Sequence, residues 1–234
     1  MGQKVGSVAA LTRFPVKSMI GEDLTSLELE PRGVVGDRVW AVYTADGGIG
    51  SGKTSRRFRR IDGLLNYRSW TDDGRVLVEG PDGAVLVVAE PATDAALSWA
   101  LGLPLTLRLE GAVPHYDDSP VHLVTTASLR GLGSLLGEPV DPRRFRANVV
   151  VDVPGNAFAE DEWAGRELAI GRDVVVRIGP GMPRCVMVSA EQRDLPADSR
   201  VLKSIGTRPG VEFGSMVDVV SGGVIREGDP VTLR

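Results

Sequence analysis

The sequence predicts a mainly β protein with some α-helix, organised as a small β-barrel-like domain followed by a second β-barrel domain. Its 234 residues include 29 glycines and 15 prolines, spread between short runs of Val, Leu and Ile. Such spacing is typical of short strands joined by tight turns. Apolar residues make up 42% of the chain and charged residues 25%, which is ordinary for a globular protein with room for one or two cores.

The first half of the chain predicts a small barrel or curled sheet. A glycine-rich turn is expected over residues 45–52, and the basic cluster 56–60 is expected to form a solvated surface. Apolar runs bounded by turn residues indicate the strands, which we expect at residues 5–16, 27–29, 38–43, 75–79 and 84–88.

A helix and a linker separate the two halves. Residues 91–101 predict a helix, because a proline suits its first turn and a glycine follows its end, and residues 105–109 return to strand. Residues 112–120, with two prolines and two aspartates, are expected to link the domains. The sequence therefore predicts one domain over residues 1–112 and a second over residues 113–234.

The second half predicts strands around one amphipathic helix. Thr125 and Thr126 precede the helix expected over residues 127–136, and threonine is a good N-cap. Residues 145–151 predict a strand with Arg146 and Asn148 on one face, because side chains two apart point the same way. A short helix is expected at 198–205, and further strands at 121–124, 167–170, 174–178, 213–220 and 224–233.

Charge and cysteine content exclude several function classes. A net charge of −4 gives no general attraction to nucleic acid or to an anionic membrane. The single cysteine excludes an internal disulfide, and a free thiol suits a reducing compartment. The apolar run at residues 8–11 is too short for a signal peptide, and no run approaches the ~18 apolar residues of a membrane helix. We therefore expect a cytoplasmic protein that binds neither nucleic acid nor membrane.

The sequence contains no complete motif for several common chemistries. No serine lies in a Gly-x-Ser-x-Gly turn, and one cysteine with two dispersed histidines does not supply a zinc site. Residues 47–54 match the literal Gly-x-x-x-x-Gly-Lys-Thr pattern of a phosphate-binding loop. A basic stretch follows instead of an apolar helix, so we do not expect a nucleotide triphosphatase. Lys53 and the backbone amides of this tract could still meet an anionic ligand.

The lone cysteine lies in an unusual setting. The strand expected at 174–178 runs into glycine and proline residues at 179–183, which are expected to break it and to present Cys185 on a corner. A lone cysteine beside valine and methionine is usually a small buried hydrophobe. In an acidic protein, however, cations and small polar groups at strand ends suggest a local anion pocket, although each alone is more often a surface residue.

Motifs along nearly the whole chain resemble those of one family. Phe14-Pro15-Val16-Lys17-Ser18 and Gly36-Asp37-Arg38-Val39-Trp40 are similar to the barrel that precedes MOSC domains. Several ordered motifs are far more specific than any one. Six further motifs resemble those of the MOSC domain itself. They are Pro120-Val121-His122-Leu123, Ala127-Ser128-Leu129, Phe145-Arg146-Ala147-Asn148-Val149-Val150-Val151, Phe158-Ala159-Glu160-Asp161-Glu162-Trp163, Pro183-Arg184-Cys185 and the closing run from Gly223 to Val231.

The resemblance implies a molybdenum site at Cys185. In MOSC proteins similar to the amidoxime-reducing components, this cysteine ligates molybdenum held by a pyranopterin dithiolene cofactor, so Cys185 is the implied metal ligand and catalytic residue. A soft thiolate suits a metal already bound by dithiolene sulfur, and the adjacent arginine favours the thiolate form. The residues implied to hold the cofactor are Lys17, Ser18, Arg38, Thr125, Thr126, Arg146, Asn148 and Arg184.

The implied activity is a molybdenum-cofactor-dependent reduction of small N-hydroxylated substrates, such as amidoximes, to the amine or amidine and water. The chain carries none of the four further cysteines of an appended ferredoxin domain, so electrons are expected from a separate ferredoxin- or cytochrome-type donor. Two alternatives stay open: a protein that carries a persulfide on Cys185 and transfers sulfur, and a non-catalytic carrier of the cofactor. The tract Ser51-Gly52-Lys53 departs from the family's usual Thr-Ala-Arg-Gln, and residues 213–216 depart from its usual aromatic turn.

Overall fold

The computed structural model of the chain describes residues 2–234. Strands account for most of the regular structure within that range. They are β1 (Gln3–Arg13), β2 (Glu22–Leu24), β3 (Ser26–Glu30), β4 (Gly33–Val34), β5 (Trp40–Thr44), β6 (Ile49–Ser51), β7 (Phe58–Arg60), β8 (Arg68–Asp72), β9 (Arg75–Glu79), β10 (Val85–Val87), β11 (Leu105–Leu109), β12 (Val121–Thr125), β13 (Val149–Asp152), β14 (Glu167–Ile170), β15 (Val174–Pro183), β16 (Glu212–Ser221), β17 (Gly223–Arg226) and β18 (Pro230–Leu233).

Helices are few and short. The α-helices are α1 (Pro91–Leu101), α2 (Thr126–Leu136) and α3 (Ser199–Ile205). Single 3₁₀ turns span Leu64–Asn66, Pro142–Phe145, Ala159–Trp163, Val186–Ser189 and Pro209–Val211. The predicted class, mainly β with some α, is therefore confirmed.

A closed barrel forms the larger part of the fold. Within residues 2–234, seven strands close in the order β13-β12-β16-β15-β14-β18-β1, with β1 pairing back onto β13, and β2 adds to β1 outside the ring. All these pairs are antiparallel except β12 with β13. Along β15, Val174, Val176 and Ile178 point into the core and Arg177 points out. This alternation is what a strand with one buried face requires.

The remaining strands form smaller sheets. A sheet in the order β11-β5-β6-β7 and another in the order β10-β9-β8 enclose a second core together with α1. A third sheet in the order β17-β3-β4 borders the large barrel. The division of the chain at residues 112 and 113 stays a prediction, and the sheets do not follow it strictly, because β1 is a strand of the barrel that the second half builds.

Several predicted elements match the structure, and others differ from it. The helix at 91–101 and the strands at 105–109 and 167–170 have the predicted bounds. The expected turn at 45–52 contains β6, which pairs in parallel with β7. The expected strand at 145–151 begins only at Val149, because Arg146 adopts a left-handed backbone with φ +52°.

The glycine and proline corner does not end its strand. Residues 179–183 continue β15 as far as Pro183, paired with β16 through shifts in register between Ile178 and Pro183. Such bulges bend a strand without ending its pairing. The expected strand at 224–233 is divided into β17 and β18 by the turn at Gly228, which has a φ of +83°.

The segment predicted as a linker is packed against the N-terminal half of the chain. His115 is fully buried; one ring nitrogen lies 3.0 Å from the Tyr43 hydroxyl oxygen and the other 3.0 Å from the Arg38 carbonyl oxygen. Arg57, expected on a solvated surface, donates to the carbonyl oxygens of Pro114 and Tyr116. The segment 112–120 is therefore held in place. The described helices include none with the length and apolar character needed to cross a membrane.

Candidate functional site

A cleft of about 220 Å³ opens where the two halves of the chain meet. Its walls come from the loops after β1, β4 and β6, from the segments that precede β12 and β13, and from the end of β15 with the turn that follows it. The lining residues are Lys17, Ser18, Arg38, Ser51, Lys53, Tyr116, Asp117, Asp118, Ser119, His122, Arg144, Phe145, Arg146, Met182, Pro183, Arg184, Cys185, Met187 and Val188.

Cys185 stands at the junction between β15 and a 3₁₀ turn. The turn Val186–Ser189 begins directly after it, with Cys185 itself in an extended conformation. The thiol is partly exposed and lines the cleft. The common environment of a lone cysteine, full burial in the core, is therefore absent at this position. The structure presents the thiol to whatever fills the cleft.

Two buried arginines brace the segment that carries Cys185. Arg184 donates from Nε to the carbonyl oxygen of Phe213, 2.9 Å away, and from Nη1 to that of Phe145, 3.2 Å away. Arg144 donates from Nη2 to the carbonyl oxygen of Pro196, 2.7 Å away, and from Nη1 to Ala190. Carbonyl acceptors on both sides of the cysteine thus fix the backbone that presents it.

Arg184 also donates to the ring of His122. Burial, together with the charges of Arg184 and Arg38, lowers the pKa of His122 well below its usual value, so the ring is neutral and accepts this bond. Gly214 permits the close packing, because its φ is +72° and a Cβ there would lie 2.6 Å from His122 Nε2. Burial lowers the pKa of Arg184 to about 9, and the nearby charge of Cys185 partly opposes that shift.

Lys17 and Lys53 share one carboxylate. Asp117 accepts from Lys17 Nζ at one oxygen and from Lys53 Nζ, 2.7 Å away, at the other. Burial lowers the pKa of Lys17 to about 8, and Asp117 opposes that shift. Burial would also lower the pKa of Lys53, but Asp117 outweighs it and the pKa is raised, with Cys185 contributing in the same sense. The ring of Phe58 lies below both lysines, with 4.6 and 5.2 Å from its centroid to each Nζ.

A second phenylalanine ring makes cation–π contacts with two arginines. Phe14 lies with its ring centroid 4.9 Å from Cζ of Arg38 and 4.3 Å from Cζ of Arg146. Cation–π contacts of this kind are stronger when the charge is desolvated. Arg38 forms a salt bridge with Asp37, and its Nη2 donates to the carbonyl oxygen of Arg146, 3.2 Å away.

Asn148 supports this pair from outside the cleft. It is 1% exposed, and its Nδ2 donates to Asp37 Oδ1 at 3.0 Å and to the carbonyl oxygen of Thr12 at 3.2 Å. Its Oδ1 accepts from the backbone N–H of His122 at 3.2 Å. Asn148 also accepts at Oδ1 from Arg38 Nη1, 3.4 Å away. It therefore orients both Asp37 and Arg38, and it does not itself line the cleft.

Arg146, which lines the cleft, has a buried hydrogen-bond donor without a partner in the described part of the chain. Its Nη1 donates to the carbonyl oxygen of Met19, 2.7 Å away, but its Nη2 is buried and has no hydrogen-bond partner within residues 2–234. Burial, with repulsion from Arg38, lowers its pKa to about 9. A buried donor without a partner costs about 1–3 kcal/mol, and an anionic ligand in the cleft would supply the missing acceptor.

Three of the predicted site residues have strained backbones. Ser18, Arg38 and Arg146 have φ values of +64°, +52° and +52°. A non-glycine residue in the left-handed region costs free energy and persists where the surrounding structure enforces it, often at functional sites. All three line the same cleft.

Thr125 and Thr126 lie elsewhere. Thr125 is fully buried and caps α2: its hydroxyl accepts from the N–H of Ser128 and donates to Glu160 at 2.6 Å. Thr126 donates its hydroxyl proton to Asp152 at 2.7 Å. The structure does not bring either side chain to the lining of the cleft; both stabilise the start of α2, and their role in holding a cofactor stays a prediction.

Sequence reasoning left several lining residues out of the predicted site. Asp117 and His122 fell in or beside a segment interpreted as a linker and a short strand, and Lys53 was noted only as a cation that could meet an anion. The run Tyr116-Asp117-Asp118-Ser119 before a buried strand was the available signal. Met182 and Met187 flank Cys185 in sequence and add two thioethers to the lining.

The cleft suits an anionic group that carries a soft metal. Six cationic side chains line it against the two carboxylates of Asp117 and Asp118, and arginine and lysine supply charge-assisted donors to phosphate. A thiolate is a ligand for soft metals. No cluster of three or more His, Cys, Asp or Glu side chains that could hold a metal ion occurs in residues 2–234.

Comparison with known families and proteins agrees with the architecture. Residues 110–232 match the MOSC domain, and residues 5–101 match the MOSC N-terminal beta barrel domain. Mitochondrial amidoxime-reducing component 1 of Mus musculus is 25% identical over 99% of this chain and 83% of its own length. The Homo sapiens protein of the same name is 25% identical over 99% of this chain and 84% of its own length.

One solved structure has a similar fold. The YUAD protein from Bacillus subtilis superposes with a TM-score of 0.51 at 11% identity, covering 100% of this chain and 98% of that one. The matched families cover both halves of the chain in the predicted order. The chain therefore belongs to the MOSC domain family and carries the family's N-terminal β-barrel domain.

Proposed function

We propose that the protein is a molybdenum-cofactor-dependent reductase of small N-hydroxylated compounds. One observation carries the proposal: Cys185 is presented, on a braced backbone, to a cleft lined by six cationic side chains. Arg146 Nη2 has no hydrogen-bond acceptor within residues 2–234. An anionic ligand could supply that acceptor, which supports the proposal. The names of the mammalian relatives, amidoxime-reducing components, indicate the substrate class.

The residues have distinct roles in this proposal. Cys185 would hold the metal through its thiolate, and Arg184, whose own bonds brace the backbone, would favour that charged form. Lys17, Arg38, Lys53 and Arg146 would hold the cofactor's phosphate and pterin. Ser18, whose backbone is in the left-handed region, would form part of the cleft wall around the cofactor.

The overall reaction needs two electrons and two protons. An N-hydroxyl substrate accepts them, its N–O bond breaks, and the products are the amine or amidine and water. When bound, the molybdenum cofactor supplies the two-electron chemistry, while the protein supplies binding, orientation and electrostatics.

We further propose that electrons come from a separate ferredoxin- or cytochrome-type protein and that this chain works in the cytoplasm. The relatives are mitochondrial by name. The given sequence holds one cysteine, whereas an iron–sulfur cluster is commonly held by four.

The test is reduction of an amidoxime by the full chain, purified from a host that makes the pterin cofactor, with a chemically reduced viologen dye as donor. The proposal predicts turnover that depends on molybdenum loading. Bound cofactor without turnover of any N-hydroxylated compound would favour a carrier. A mass increase of one sulfur atom on Cys185, without bound molybdenum, would favour a sulfur-transfer protein.

A further inference from the structure

Asp117 occupies the space between two cationic side chains of the cleft. Its Oδ1 accepts from Lys17 Nζ, and its Oδ2 accepts from Lys53 Nζ at 2.7 Å. The Lys17 side chain is 6% exposed, while those of Lys53 and Asp117 are 27% and 29% exposed. All three residues line the cleft. The carboxylate thus lies where the anionic group of a ligand would have to lie to be held by both lysines.

The position of Asp117 has a physical cause. Burial and the charges of Arg38 and Arg146 all act against the ammonium of Lys17, and Asp117 is the group that favours it. In turn, the two lysines hold the pKa of Asp117 below its usual range in spite of burial. The carboxylate therefore offsets the repulsion between cations that the fold places close together.

Asp118 provides an internal comparison. It also lines the cleft, but it is exposed, and no salt bridge to it is present in the described chain. Of the two carboxylates in the lining, Asp117 is the one engaged with the lysines. A charge removed from Asp118 leaves that engagement intact.

We propose that Asp117 is an internal counter-ion that a ligand must displace, and that it restricts the subsite of Lys17 and Lys53 to groups carrying two negative charges, such as a phosphate monoester. The inference rests on the proposed function, since it concerns the anionic group of the ligand in that cleft. It adds a residue that sets which anion is accepted.

The restriction follows from charge balance. A monoanion that replaced Asp117 would exchange one negative charge for another and would pay the loss of its own hydration. A dianion supplies one charge to each lysine, and it binds in a cleft that Arg38 and Arg146 also line. Charge-assisted bonds of this kind are about twice as strong as neutral ones.

The experiment measures binding of sulfate and nitrate to the full chain by calorimetry, with protein from a host that makes no pterin cofactor. Lys17 has a pKa of about 8 beside Asp117, which raises it, so the pKa of Lys17 will be lower in a variant without that charge. Binding is therefore measured at pH 5 to 6 in both proteins. Asp117→Asn retains the side-chain shape and removes the charge. Since juxtaposed like charges cost several kcal/mol, sulfate binding should tighten by at least about tenfold in this variant, and nitrate binding should become measurable.

Asp118→Asn is the matched control and should bind sulfate as the wild type does, within about twofold. Equal or weaker sulfate binding by Asp117→Asn would overturn the inference, because a merely structural carboxylate would not compete with the anion. An equal gain in sulfate affinity in Asp118→Asn would also overturn the inference, since the effect would then come from the net charge of the cleft and not from the position of Asp117.

If Asp117→Asn does not fold, a crystal structure of the wild type soaked in sulfate tests the inference instead. The inference predicts sulfate oxygens on Lys17 and Lys53, with the Asp117 carboxylate displaced; sulfate bound elsewhere with the pair intact contradicts it. Neither measurement involves molybdenum. A chain that exchanges Asp117 for sulfate and yet retains no molybdenum would refute the proposed function and leave this inference standing.

Discussion

Arg146 Nη1 donates a hydrogen bond to the carbonyl oxygen of Met19, 2.7 Å away. Met19 belongs to the core of the N-terminal half, and Arg146 lies in the MOSC-matched half. The bond therefore ties the two halves together at the site itself. It also orients the guanidinium of Arg146, a residue that lines the cleft and whose Nη2 is buried without a hydrogen-bond partner within residues 2–234.

The first prediction concerns that guanidinium. Arg146→Gln removes one buried cation and the unpaired donor, so the affinity of the cofactor-free chain for sulfate should fall by about tenfold or more. Calorimetry on the purified full chain measures it. Arg143→Gln is the control, because Arg143 is exposed and pairs with Asp141 and Asp194 away from the cleft. Unchanged sulfate binding in Arg146→Gln would show that Nη2 does not serve an anion.

The second prediction concerns stability in mild acid. Burial lowers the pKa values of both histidines, and that of His122 falls well below its usual 6.5. The unfolded chain therefore binds more protons than the folded chain once the pH falls below about 6.5. The free energy of unfolding should be fully retained above that pH and should decrease as the pH falls from 7 to 5. Urea denaturation at a series of pH values measures it.

His122→Gln tests the assignment of this effect. Glutamine keeps an acceptor for Arg184 and does not titrate. The free energy of unfolding should therefore fall less steeply with pH, by the equivalent of about one proton fewer taken up on unfolding. His115→Gln should remove the part that remains. A His122→Gln protein whose stability falls as steeply as that of the wild type would mean that His122 is already charged in the folded state.

The third prediction separates a structural threonine from a binding one. Thr125→Ala removes the cap of α2 and one donor to the buried carboxylate of Glu160, so the free energy of unfolding should fall by about 1–2 kcal/mol. Molybdenum content per folded chain should not change. Thr126→Ala, which loses a more exposed bond to Asp152, should cost less. Loss of molybdenum from a fully folded Thr125→Ala protein would show that Thr125 helps to bind the cofactor.

Local sequence signals predicted local structure well. The helix Pro91–Leu101 has the predicted bounds because a proline begins it and Gly102 ends it with a φ of +70°. Thr125 was recognised as a candidate cap from its place before an apolar run. Ile49–Ser51 was missed, because a glycine-rich stretch gives no alternation and its parallel partner, β7, is identified only by the fold.

Long-range pairing was beyond the sequence. Nothing in the alternation of β1 shows that it completes the barrel formed mainly by the second half. The same reason explains Asp117: its chemistry depends on Lys17, 100 positions away, and on Lys53. Cys185, Arg38 and Arg146 were identified because their motifs resemble a family, and the structure brings all three to one cleft. Asn148 was identified in the same way but proves to be a supporting residue.

The most direct test of the account is the molybdenum content of the full chain and of Cys185→Ala, each purified from a host that makes the pterin cofactor. Cys185 is partly exposed, so its replacement should leave the fold intact. Val186→Ala, which changes an exposed neighbour, is the control. The account predicts about one molybdenum per chain in the wild type and in Val186→Ala, and a loss of most of it in Cys185→Ala, because one thiolate provides the protein's bond to the metal. A Cys185→Ala protein that retains its molybdenum would contradict the account.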